Sequence, residues 1–345
     1  MTALRSLIVF ATAVLATAPS QGRYAASRAE DVVELADTAS DVRISVLAPL
    51  CNAYDMVVKN EHVIRRTFTD LAAFRARPGL NGIPLLAPFA NRLDEQAFYA
   101  NGRKYAFDME LGNVRGAIPI HGFLSNAKDW KLVDAKADAS GAWVTCTLDF
   151  YRNPQWMKQF PFAHTLTLTY RLSDGALEVR TRIDNLSVDP MPVAIGFHPY
   201  FQLTDSPRDD WTLAVGARTH WLLAPTFIPT GETEPIERVF SDPQSAALKG
   251  ANLDDVFSDL ARDANGRASV RVRGKSQQLE ILLGPNYRAV VLYSPANAPN
   301  FVAIEPMVGI TDSMNLAHKG IYKELQSVPP GGTWQESFWI RPSGF

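Results

Sequence analysis

The stretch Thr165-Leu-Thr-Leu-Thr-Tyr-Arg-Leu-Ser-Asp-Gly-Ala-Leu-Glu-Val-Arg-Thr-Arg-Ile183 decides the fold class. Leu166, Leu168, Tyr170 and Leu172 alternate with Thr165, Thr167, Thr169 and Arg171. Leu177, Val179 and Ile183 alternate in the same way with Glu178, Arg180 and Arg182. Successive side chains of a strand point to opposite faces, so a period of two describes two strands with one face buried and one wet. Ser173-Asp174-Gly175 between them supplies the turn. The pair reads as half-buried antiparallel sheet.

The same pattern extends in both directions. Trp143, Thr145, Thr147 and Asp149 face one way, and Val144, Cys146, Leu148 and Phe150 the other. Val42, Ile44 and Val46 alternate with polar residues, and Asn101-Gly102 between Phe98-Tyr99-Ala100 and Arg103-Lys104-Tyr105 is a hairpin signal. Strands are expected at 268–272, 279–283, 289–293, 301–304 and 334–340. Helical spacing is confined to short pieces such as Phe68–Arg75, and no repeat period is visible. Nothing between Asp41 and Phe345 reads as a linker, so residues 41–345 are expected to form one large all-β domain, an antiparallel β-sandwich with few short helices. The alanine-rich, charged segment 22–40 reads as a linker or a short helix.

Composition narrows the function. The chain has 345 residues, 46% hydrophobic and 20% charged, with a net charge of −2, so no basic field points to nucleic acid. Residues 1–21 read as a signal peptide: Arg5 is a positive n-region, Leu7–Val14 begins an apolar core too short to span a bilayer, and Ala16-Thr17-Ala18 has the small-x-small pattern. The mature protein is accordingly expected in the periplasm or outside the cell, with no membrane partner after cleavage. Cys51 and Cys146 are the only cysteines and are expected as free, buried thiols, and no Cys-x-x-Cys or His-Cys cluster suggests a metal site.

Five stretches could carry chemistry. Pro192-Val-Ala-Ile-Gly-Phe-His-Pro-Tyr-Phe-Gln-Leu203 puts His198 at the end of a short apolar strand, among Phe197, Tyr200 and Phe201. Such a setting suits a sugar ring beside a general acid. An ordinary core histidine fits those residues as well. Phe301-Val-Ala-Ile-Glu-Pro306 drives Glu305 to the end of an apolar run, with Pro306 expected to stop the ladder. Burial there would raise the carboxyl towards general-base strength, whereas a solvated strand end would not. Pro88-Phe-Ala-Asn-Arg-Leu93 carries Asn91 and Arg92, Ile118-Pro-Ile-His-Gly-Phe123 carries His121, and Asp254-Asp-Val-Phe257 offers a carboxylate for a hydroxyl. Surface pairing, a turn and a helix N-terminus are the alternatives for these three.

Taken together, these motifs resemble the aldose 1-epimerase (galactose mutarotase) family. The matching stretches, in order from Asp41 to the C-terminus, are Asn91-Arg92-Leu93 ahead of Phe98…Gly102…Tyr105, His121-Gly122 followed by Trp130, Gly196-Phe197-His198-Pro199-Tyr200, Ile228-Pro229-Thr230-Gly231-Glu232, Asp254-Asp255-Val256-Phe257, and Glu305-Pro306…Asp312-Ser313…Asn315. The resemblance implies a galactose mutarotase-like β-supersandwich with an open sugar cleft, Glu305 as general base and His198 as general acid. It also implies that Arg92, His121, Asp254 and Asn91 bind and orient the sugar. Cys51-Asn52-Ala53 and the segment 239–252 depart from the family pattern, which bears on sugar preference more than on the reaction.

The expected activity is cofactor-independent, metal-free interconversion of the α and β anomers of free hexoses by a monomer or homodimer. Alternatives are a hexose-6-phosphate 1-epimerase, which needs further cations at the cleft, and a non-catalytic carbohydrate-binding protein. A glycosidase or lyase would need a second catalytic carboxylate opposite Glu305.

Overall fold

A computed structural model describes residues 22–297 and 300–345. The expected signal peptide, 1–21, lies outside the described residues. The alternation read in the sequence is realised directly. Strands His164–Ser173 and Ala176–Asn185 pair antiparallel, with Tyr170 opposite Val179 and Leu166 opposite Ile183. Both pairs are fully buried on one face.

These two strands are the third and fourth of a nine-stranded sheet. In spatial order it runs Lys131–Asp138, Gly141–Asp149, His164–Ser173, Ala176–Asn185, Thr333–Ser343, Gln278–Leu283, Ala268–Arg273, Thr212–Val215 and Ala246–Ala247. An eight-stranded sheet runs Pro229–Pro235, Ala217–Leu223, Leu253–Leu260, Ala289–Ser294, Val302–Met307, Gly196–Phe197 and Leu85–Leu86, with Tyr200–Phe201 also pairing to Val302–Met307. One continuous apolar core includes Tyr170, Val179, Phe338, Phe197, Leu292 and Ile304. Helices are short: Leu71–Ala76, Pro154–Gln159 and Ser313–His318. The first is capped by Asp70, whose carboxylate accepts from the Ala73 N–H.

The expected linker at 22–40 is instead two strands, Tyr24–Ala29 and Val32–Asp37, the first two of a five-stranded sheet with Val42–Leu47, Asn52–Val58 and Glu61–His62. Val33 and Leu35 are fully buried, and Asp37 is ion-paired to Arg23 at 2.8 Å. The first strand shows mostly alanine and polar side chains because it is an edge strand, largely exposed on both faces. Cys51 and Cys146 are both buried and free.

Candidate functional site

Register alone brings two of the singled-out positions, Glu305 and Asp254, to one face, with Tyr293 between them. Glu305 lies opposite Val291, and Val291 opposite Val256. Two residues along, Ala303 lies opposite Tyr293, and Tyr293 opposite Asp254. Residues directly opposite one another share a face, as do residues two apart. Glu305, Tyr293 and Asp254 therefore project from the same side of the eight-stranded sheet, while Ile304 and Leu292 fill the core on the other. Asp254 stands on a strand, not at a helix N-terminus. The strand also continues through Pro306 to Met307, so the proline does not end it.

His198 reaches the same face by alternation. Phe197 points into the core, its ring 5.0 Å from that of Phe338. Gly196 is obligatory here, because a Cβ would lie 2.5 Å from the Met307 sulfur and 2.9 Å from Ala90 Cβ. Asn91 and Arg92 come from a neighbouring loop, where Arg92 bridges to Ile120 and the His121 N–H donates to the Asn91 carbonyl at 2.8 Å. Asn91 and His121 are both left-handed, with φ of 57° and 60°. Paired non-glycine residues in this region are characteristic of sites where side-chain aim outweighs backbone cost.

The resulting cavity is lined by Leu80, Asn91, Arg92, Arg115, Ile120, His121, His198, Tyr200, Asp254, Tyr293 and Glu305. All six side chains expected at the site are thus brought together. His198 Nε2 lies 3.1 Å from Glu305 Oε1. Arg92 donates from Nη2 to Asp254 Oδ2 at 3.1 Å and from Nη1 to Asn91 Oδ1 at 3.0 Å. The Asn91 N–H donates to His121 Nδ1 at 3.3 Å, which makes Nδ1 the acceptor and leaves Nε2–H as a donor. The His121 and His198 rings meet edge to face at 5.2 Å, and Tyr200 stacks on His198 at 4.7 Å.

Burial dominates the electrostatics. Glu305 is 1% exposed, and burial raises its pKa well above the usual carboxylate value, with the Asp254 charge adding to the effect and Arg92 opposing it. Burial also holds His198 well below its ordinary 6.5. Burial, then the charges of His198 and Arg92, does the same to His121, which is therefore neutral. Their direct contact acts the other way on the Glu305/His198 pair, because a carboxylate and an imidazolium favour each other. The pair consequently holds one proton in total around neutral pH, on either Oε1 or Nε2.

Residues behind the cavity hold it in place. Arg208, 3% exposed, donates to the carbonyls of Leu248, Ala251 and Ser294 and to Ser294 Oγ, clamping the ends of the strands that carry Asp254 and Tyr293. Of the aromatic residues flanking His198 in sequence, Tyr200 reaches the cavity. Phe197 and Phe201 are fully buried and are not walls of the site. Tyr293 and Arg115 were not singled out by the sequence. Both lie in otherwise unremarkable stretches, and only the sheet register and the 114–119 hairpin bring them here. The Ile228–Glu232 motif lines neither this cavity nor the one adjoining it. Among the described residues, no group of three or more His, Cys, Asp and Glu side chains is arranged to hold a metal ion.

The aldose 1-epimerase family model matches residues 56–341. The fold is shared with a galactose mutarotase-like protein from Clostridium acetobutylicum, at 21% identity and a TM-score of 0.79 over 91% of this chain and 95% of that one. It is also shared with the galactose 1-epimerase of Lactobacillus acidophilus NCFM, at 15% identity and a TM-score of 0.71 over 93% and 98%. An aldose epimerase homologue from C. elegans matches at 18% identity and a TM-score of 0.71 over 88% and 96%. At these identities the structural likeness concerns the fold.

Proposed function

We propose that this chain, which belongs to the aldose 1-epimerase family, interconverts the α and β anomers of free hexoses, with Glu305 as base and His198 as acid. The observation that carries this reading is the buried contact of His198 Nε2 with Glu305 Oε1 at 3.1 Å, in a cavity also lined by Arg92, Asp254, Asn91 and His121. Anomer exchange needs the C1 hydroxyl to lose a proton while the ring oxygen gains one. With the proton on His198, Glu305 is an ionised base and His198 a charged acid. Glu305 takes the C1–OH proton, the bond between C1 and the ring oxygen breaks, and His198 protonates that oxygen. The open-chain aldehyde is formed and the pair's proton now sits on Glu305.

Rotation about C1–C2 presents the other carbonyl face, and closure returns the proton to His198. The two states of the cycle are thus the two tautomers of one buried pair: burial favours the neutral one, and the attraction between carboxylate and imidazolium at 3.1 Å lowers the cost of the charged one. His121 Nε2–H, the Arg92–Asp254 pair and Asn91 are suited to grip the hydroxyls so that the ring oxygen stays beside His198.

Polarimetry of freshly dissolved α-glucose and α-galactose tests this. Wild type accelerates the approach to equilibrium, and Glu305→Gln and His198→Asn each lose about 10²-fold or more. A wild-type protein that leaves the spontaneous rate unchanged for every aldose, while still binding sugar, makes the chain a binding protein. We further propose that the mature protein acts outside the cytoplasm, on the basis of Arg5 and the apolar run from Leu7. N-terminal sequencing of the exported protein checks this, and a cytoplasmic protein retaining Met1 refutes it.

A further inference from the structure

The two cysteines of the chain belong to different sheets and meet in the core between them. Cys146 stands on Gly141–Asp149, the second strand of the nine-stranded sheet. Cys51 stands at the corner where the short helix Ala48–Leu50 passes into Asn52–Val58 of the five-stranded sheet. Cys146 lies opposite Leu168, and Val144, two residues back, lies opposite Tyr170. These four residues therefore share one face, and all of them are buried. The Tyr170 hydroxyl rises from that face and donates to the Cys51 carbonyl at 2.9 Å, which holds the corner above Cys146. The Cys51 side chain is hydrogen-bonded to that of Cys146.

Neither cysteine lines the catalytic cavity. Two thiols in contact are weak donors and weak acceptors, so the contact itself adds little to stability. Joined sulfurs would instead tie the two sheets covalently. Burial pushes the Cys51 thiol well above its ordinary range, so in the folded protein it stays protonated and shielded from solvent. The thiolate is the species that attacks a disulfide, so a bridge here has to be made while the chain folds, before the core closes.

We infer that Cys51 and Cys146 become a structural disulfide when the chain folds under oxidising conditions, closing the loop 51–146, which carries Asn91, Arg92 and His121. The two thiols lose two protons and two electrons as the S–S bond forms. A disulfide-bearing oxidant accepts both and leaves as two thiols: one cysteine forms a mixed disulfide with it, and the other cysteine attacks that bond. Where the bridge forms in the cell rests on the reading that the mature protein acts outside the cytoplasm, since disulfides persist in oxidising compartments. The pairing itself needs only an oxidising folding medium.

The test unfolds the full chain in guanidinium with dithiothreitol and refolds it in a buffer of oxidised and reduced glutathione. The soluble product is denatured, alkylated with iodoacetamide without reduction, digested and read by mass spectrometry. The Cys51 and Cys146 peptides are expected to be joined, and Cys51→Ser and Cys146→Ser each abolish the joined species. Because the bridge restricts the unfolded chain, the oxidised protein is expected to melt about 3–6 °C above the same protein refolded with dithiothreitol, a gain that both variants lose. Chain made in a cell-free extract with the same glutathione buffer gives the same readout if refolding yields no soluble product.

Two alkylated cysteines, or glutathione left attached to either of them, overturn the inference. So does a joined pair that melts no higher than the reduced protein. Chain recovered from producing cells separates the bridge from the export reading. A cytoplasmic chain that retains Met1 and both free thiols, beside a refolded chain that is joined, refutes export and leaves the bridge standing.

Discussion

Replacing Asp312 by asparagine should make the protein's stability less dependent on pH, by an amount the structure specifies. Asp312 has a left-handed backbone (φ 59°) and a side chain buried beneath the cleft. Its Oδ1 accepts from the Asp94 N–H at 2.9 Å and from Asn315 Nδ2 at 2.7 Å, tying the segment beyond Glu305 to the segment beyond Arg92. Its Oδ2 is buried without a protein partner. Burial raises this carboxyl from 3.8 to about 7, against the opposing pull of the Asp94 N–H, Lys319 and Asn315.

The unfolded chain ionises near 3.8, whereas the folded protein keeps the proton until about 7. The contribution to stability is therefore fully present below 3.8 and is lost as pH rises to 7. At about 1.4 kcal/mol per pH unit, the loss approaches about 4 kcal/mol by pH 8.

Asparagine keeps the shape and never ionises. Its amide NH2, placed where Oδ2 has no partner, costs about 1–3 kcal/mol at every pH. Asp312→Asn should thus be close to wild type at pH 5 and more stable at pH 8. The difference between the two proteins should shift by about 3 kcal/mol across that interval. Urea unfolding followed by tryptophan fluorescence at pH 5, 6, 7 and 8 measures it, with m unchanged. Two stability curves that run parallel from pH 5 to 8 would mean that Asp312 is ionised in the folded protein throughout, and would refute the reasoning.

Two further outcomes follow from the ion pairs lining the cleft. Arg92→Ala leaves Asp254 without its guanidinium; the loss should fall mainly in KM, about tenfold to a hundredfold, with kcat much less affected, as steady-state polarimetry can separate. His220 donates from Nδ1 to Glu234 at 2.9 Å and from Nε2 to Asp255 at 3.0 Å, and both bonds to ionised carboxylates require the doubly protonated ring. Burial opposes that charge, but the Asp255 and Glu234 hydrogen bonds outweigh it and hold the pKa above 6.5. The stabilisation is therefore fully present below 6.5 and is lost as pH rises through the folded value. The stability gap between wild type and His220→Gln should shrink from pH 6 to pH 9, and an unchanging gap counts against a charged ring.

What could be read from the sequence was whatever depends on spacing along the chain. The alternation around Tyr170 and Val179 specifies paired half-buried strands because a one-residue slip would turn every leucine to water. Glu305 and His198 stood out because a carboxylate and an imidazole at the ends of apolar runs conflict with their surroundings. What could not be read depends on which strands become neighbours. Tyr293 joins the site because Ala289–Ser294 lies between the strands of Asp254 and Glu305, and no local feature of that apolar stretch says so.

His220 was invisible for the same reason, since its two carboxylates come from strands on either side of it. The segment 22–40 was misread for the opposite reason. Its Val33–Leu35 alternation was present, but an exposed edge strand of alanine and polar residues hid it. Local patterns thus supplied the proton-transfer pair, while the walls and reach of the cleft came from long-range register. Substrate preference is therefore the property that the sequence conceals most.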